Sequence, residues 1–143
     1  MGNHVIKAET GHVNLSPVLF HNYARQYLEC RRSFKDEINS PVPYFLICRA
    51  IELELKAKHL ESKLRQEVKR KYGHNLKKSY DELSDSERTL EASEYIELVR
   101  ASEIYDIPNK GFEYVSVFDA VTGLKNFPNL AVLERVAEKL IGE

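Results

Sequence analysis

With two cysteines, six glycines and five prolines in 143 residues, this chain has little of what cross-links or interrupts a small fold. Cys30 and Cys48 form no CxxC and no Cys/His ligand set. That excludes a disulfide framework or a zinc module, and the pair reads as small buried hydrophobes on neighbouring helices in a reducing compartment. His4, His12, His21, His59 and His74 include no HxxxH and no His/Cys pair, so no metal and no cofactor is expected. No apolar run approaches the ~18 residues of a membrane span; the stretch from Val42 to Cys48 stops at Arg49. The first fourteen residues show neither an apolar signal core nor a cleavage pattern, and the expectation is a cytoplasmic protein with no membrane association. A formal net charge of −1 gives no overall pull on a polyanion, so any such affinity has to come from local clustering. Walker loop, GxGxxG and Ser/His/Asp order are all missing, and Gly11, Gly73, Gly111 and Gly123 stand alone as turn glycines. Phosphate binding by a glycine-rich loop is excluded.

What is present is helical periodicity without internal repeats. Residues 1–14 are polar and read as a loose arm; residues 15–143 read as one domain. Ser16-Pro17 opens a first helix, with Phe20, Ala24, Tyr27, Phe34 and Ile38 at three- and four-residue steps to about Asn39. Asn39-Ser40-Pro41-Val42-Pro43 makes a tight link, which sets the next helix antiparallel to the first. That second helix, Pro43 to Leu60, has two apolar faces separated by a narrow polar strip of Arg49, Glu52 and Lys56, and is expected to be packed on two sides as the spine of the fold. Gly73 stops its continuation, Asn75 starts a short helix, and Ser84 with Glu87 predicts a capping box for a helix reaching Tyr105 with Glu87, Glu94 and Glu97 outward. Phe112 to Val117 is aromatic and β-branched, predicting a short extended excursion, and Asn126-Phe127-Pro128 opens a last helix. The sum is an all-α antiparallel bundle of four to five main helices.

Ala50-Ile51-Glu52-Leu53-Glu54-Leu55-Lys56-Ala57 and, after a variable link, Gly73-His74-Asn75-Leu76 resemble two motifs of the HEPN (higher eukaryotes and prokaryotes nucleotide-binding) family of helical bundles. The family's helix carries Ala-Val-Glu-x-x-x-Lys-Ala, followed by a Thr-His-Asp-Leu-like motif. Here Gly73 replaces Thr and Asn75 replaces Asp. The resemblance runs from about residue 17 to residue 105. It implies either a dimeric metal-independent RNase or a member without chemistry that binds nucleotides or pairs with a small nucleotidyltransferase. The RNases use an Arg, four to six residues, then a His on a late helix. This chain has no His after His74, Arg70 lies too close before it and Arg65 too far. The departure favours the second kind.

Each candidate has a plain structural alternative. Arg49, Glu52 and Lys56 form either a polar seam between packed helices or a phosphate contact whose rotamers Glu52 fixes. His74 is either a histidine bonded to the backbone or to Glu52, or a general acid or base at a helix start. From Lys63 to Lys78, basic residues including Lys69, Arg70, Lys71 and Lys77 surround Tyr72, with Glu67 the single acid. Such a run is a solvated face or a surface for phosphates and a stacked base. An acidic stretch from Asp81 to Asp106 follows. The leading expectation is a HEPN-like, non-catalytic nucleotide- or RNA-associated module, homodimeric and serving a nucleotidyltransferase or a defence or toxin–antitoxin partner. Its binding surface would comprise Arg49, Lys56, Lys69, Arg70, Lys71, His74 and Lys77, with Glu52, Lys56 and Ala57 as the structural motif. The alternatives are a divergent RNase using His74 and Arg70, and a helical dimerisation scaffold with no ligand.

Overall fold

The computed structural model describes residues 5–8, 11–35, 39–106, 112, 115–116, 119 and 123–143, with side chains from residue 14 onward. Among these residues the chain forms six α-helices, four long and two short: α1 (Ser16–Ser33), α2 (Val42–His59), α3 (Arg65–Tyr72), α4 (Leu76–Asp81), α5 (Ala92–Tyr105) and α6 (Leu130–Ile141). The all-α bundle expected from periodicity is the fold. No helix among the described residues is long and apolar enough to cross a membrane. Where the sequence reads as a loose arm, β1 (Val5–Ala8) and β2 (Gly11–Asn14) pair antiparallel, Val5 opposite Asn14 and Ala8 opposite Gly11. Asn14 ends that hairpin by accepting the Ser16 amide at 3.0 Å, so the side chain at the start of α1 that takes an amide is Asn14. The extended excursion expected at 112–117 falls largely outside the described residues; Phe112 itself lies in a turn.

The spine expectation for α2 is met in full. Every residue from Ile47 to Ala57 except Arg49 is buried, charged ones included. Tyr27 lies beside Arg49, His21 bonds Glu54 and Phe20 packs near Leu60, so α1 rises as α2 descends. The short Pro-containing link dictates this antiparallel pair. On its other side α2 meets α4, α5 and α6, and one apolar core joins Leu28, Ile51, Leu55, Leu76, Leu98 and Leu133. In α6, Leu133, Val136, Ala137, Leu140 and Ile141 repeat at three- and four-residue steps and are all buried. Tyr44, Phe112 and Phe127 close the opposite end, with ring centroids 5.1–5.5 Å apart.

Three local expectations are corrected. Ser84 and Glu87 do bond, Oγ to Oε1 at 2.7 Å, but they close a single turn; the true capping box is Glu91 with Glu94, and α5 starts at Ala92. Glu94, expected outward, is buried, giving its amide partner a cap and accepting Lys139 Nζ at 2.7 Å. Cys30 is exposed and only Cys48 is buried; both are free thiols.

Gly73 separates α3 from α4 with φ +51 and ψ −120, a conformation in which a Cβ is strained even though no atom lies within 4 Å of where one would sit. Gly73→Ala is expected to cost about 1–2 kcal/mol from backbone strain alone. Urea denaturation should show this as a lower midpoint with an unchanged slope and unchanged helix content.

Candidate functional site

Helical spacing puts Arg49, Glu52 and Lys56 on one face of α2, at i, i+3 and i+7. Glu52 is 3 % exposed, and both its oxygens are fully engaged. Oε2 accepts Arg49 Nη1 at 2.9 Å and Lys56 Nζ at 2.8 Å. Oε1 is 2.9 Å from His74 Nδ1 and accepts the Tyr105 hydroxyl at 2.6 Å. A carboxylate has about four acceptor sites, so none is left over for a ligand. Burial alone would raise the Glu52 carboxyl. The Lys56 charge and the hydrogen bonds from Lys56, Tyr105 and His74 outweigh it and hold the group below its ordinary 4.5. Because the ionised carboxylate only accepts, His74 Nδ1 carries the proton and Nε2 is left for another partner. Burial and the Glu52 charge drive the Tyr105 phenol far above its usual range, so it stays a donor.

These groups edge a cleft of about 350 Å³ between α2 and α3. Its polar rim is Arg49, Lys56, Arg65, Lys69 and His74; its apolar floor is Phe20, Leu53, Leu60 and Val68. Arg49, Lys56, Arg65 and Lys69 thus line one cavity with a carboxylate that serves the first two. Lys56 is nearly buried, with 11 % of its side chain exposed, and its ammonium is held by Glu52, whereas Lys69 reaches the cleft from an exposed position.

The structure sorts the sequence candidates. Arg49, Lys56, Lys69 and His74 meet at the cleft. Lys71 and Lys77 do not; they pair with Glu82 at 2.9 Å and Asp81 at 2.7 Å, where the acidic stretch folds back on the basic one. Arg70 is exposed and lies outside the cleft lining, so His74 and Arg70 do not converge on one cavity. His74 takes the bond to Glu52 that its structural reading anticipates, with 58 % of its side chain still exposed. The amino end of α4 is not open to an anion at His74, since Asn75 Oδ1 accepts Lys78 N at 3.0 Å. Ala57 is buried within α2 as part of its packing. Sequence reasoning passed over Tyr105, which lies 53 residues from Glu52, and left Phe20 and Arg65 out of the site. A tyrosine closing an otherwise apolar helix face was the one available signal for Tyr105.

No protein-family model, curated protein or solved structure matches this chain. Among the described residues no group of three or more His, Cys, Asp or Glu side chains could hold a metal ion. The cleft can therefore be read only from its own chemistry: fixed cations, an oriented imidazole and an apolar floor.

Glu52→Gln would leave Lys56 and Arg49 without their anion, and is expected to destabilise the fold by roughly 3 kcal/mol, measurable by thermal or urea denaturation. The pH dependence has a definite sign. Glu52 is depressed in the folded state, so its contribution is complete above 4.5 and is lost as pH falls through the lower folded value. The gap in melting temperature between wild type and Glu52→Gln should therefore narrow as pH falls below about 5.

Proposed function

We propose that this chain is a HEPN-like, non-catalytic module that binds nucleotides or RNA through the cleft between α2 and α3. One observation carries the reading: Arg49, Lys56, Lys69 and His74 line one cavity over an apolar floor, beside a Glu52 carboxylate whose acceptor sites are all taken. A phosphate suits such a lining, because guanidinium and ammonium groups are its natural donors. The resemblance in α2 adds homodimerisation and a nucleotidyltransferase partner to the proposal, the cysteine usage adds a cytoplasmic location, and light scattering on the purified protein tests the dimer.

Fluorescence anisotropy with a labelled single-stranded RNA tests the binding. Affinity should fall with salt at a log–log slope of about −2 to −3, as for three or four phosphate contacts. Lys69→Glu should weaken binding about tenfold or more, whereas Lys71→Glu, outside the cleft, should change it less than about twofold. Salt-independent binding, or equal loss from the two substitutions, would remove the cleft from the mechanism.

A second reading, the divergent RNase, is favoured by one specific contact. Glu52 fixes the His74 tautomer and leaves Nε2 unpaired by that bond, as a general base that takes a ribose 2′-hydroxyl proton would require. RNA incubated with wild type, His74→Ala and Arg70→Ala proteins separates the two. Intact RNA in all three is the expected result; cleavage by wild type that disappears in His74→Ala establishes the enzyme.

A further inference from the structure

A second cavity, of about 530 Å³, adjoins the cationic cleft on the α1 side. The two share Phe20, Arg49, Leu53 and Arg65 as a common wall. Phe20, Tyr23 and Tyr27 recur at i, i+3 and i+7, so helical geometry brings all three rings to one face of α1, and all three line this cavity. A stripe of aromatics at that spacing ordinarily becomes core. Here Phe20 and Tyr27, half-buried, pack against the core, while Tyr23, 36 % exposed, is not used up by packing. Phe20 and Tyr23 are tilted at 43° with centroids 6.3 Å apart, forming an angled platform.

The shared wall also matters. The Arg65 guanidinium lies 5.2 Å from the Phe20 centroid and the Arg49 guanidinium 5.9 Å from the Tyr27 centroid. Arg49 donates Nη1 to Glu52 at 2.9 Å while its guanidinium stays by the Tyr27 ring. Each arginine thus borders the aromatic lobe on one side and the cationic lobe on the other. Gln26, exposed on the lobe's α1 wall, adds an amide that both donates and accepts.

Resting on the anion-binding reading above, we infer that the ligand is a nucleotide unit bound across both lobes, its phosphate in the cleft of Lys56 and Lys69 and its base stacked on Tyr23 in the aromatic lobe. Inorganic phosphate would use only the first lobe. An acyl chain would cover Phe20 and Leu53 but offer nothing to the Gln26 amide and the two phenols that also line the lobe. A base presents a flat face for stacking and polar edges for Gln26. The unit can come from a free mononucleotide or from a single-stranded RNA.

Competition against a fluorescent N-methylanthraniloyl-AMP probe tests the assignment, with AMP, inorganic pyrophosphate, phosphotyrosine and a ten-nucleotide RNA as competitors. AMP should compete about tenfold better than phosphotyrosine. Tyr23→Ala and Gln26→Glu should each weaken AMP about tenfold and leave pyrophosphate unchanged, while Lys69→Glu weakens both. Tyr23 and Gln26 are surface residues, and circular dichroism checks that both variants keep the fold. RNA that competes better than AMP with the same Tyr23 sensitivity assigns the unit to a strand; RNA no better than AMP assigns it to the free nucleotide. AMP, pyrophosphate and phosphotyrosine of equal strength, all indifferent to Tyr23→Ala, would overturn the base lobe while the cationic cleft stands. Failure of AMP, pyrophosphate and RNA alike would bring down the anion-binding reading as well.

Discussion

The buried Glu52 carboxylate is the constraint on which the arrangement depends. A charge so far from water is tolerated only if fully paired, and its four partners come from three separate parts of the chain: α2 itself, the turn between α3 and α4, and the last residue of α5. Satisfying one carboxylate therefore fixes where α3 ends, where α5 ends and which way the Arg49 and Lys56 side chains face. Apolar packing holds the helices together, but it is directionless; the Glu52 cluster specifies their register. It also leaves the cavity beside it positively charged.

Much of the fold was legible because the relevant signals are local. Pro41 and Pro43 mark the turn between α1 and α2, the steps Leu133, Val136, Ala137 and Leu140 mark α6, and the two apolar faces of α2 announce a helix covered on both sides. The misread boundary at α5 has a physical cause. Ser84 and Glu87 make the hydrogen bond of a capping box but no apolar face follows them, whereas Glu91 precedes Leu98, Ala101 and Tyr105, which the core needs. Glu94 was misplaced for a related reason, since its compensating cation, Lys139, sits on a helix 45 residues away.

The site was legible only in part. Arg49, Glu52, Lys56 and His74 stood out because three share a helix face and the fourth stands beside an isolated glycine. A basic run cannot reveal where its members will end up; Lys71 and Lys77 pair with Glu82 and Asp81, while Arg65 and Lys69 line the cleft. That division depends on the 100° step between helical residues together with the way α4 folds back, and only the second of these is tertiary. That Phe20, Tyr23 and Tyr27 line a cavity was hidden for a different reason. An aromatic stripe reads as core unless the helix that would cover it is known to be too short to do so.

α3 is eight residues long, and its apolar anchorage consists of Val68 and Tyr72 against Leu60, with Phe20 alongside, a small cluster separate from the main core. Elements with few buried apolar contacts open at lower free energy than the domain as a whole. The wall that carries Arg65 and Lys69 is thus the part of the bundle least committed to it. Its amides should exchange with solvent faster than those of α2, and an occupied cleft, by bridging α3 to α2, would add to its hold on the domain without altering the helices beneath.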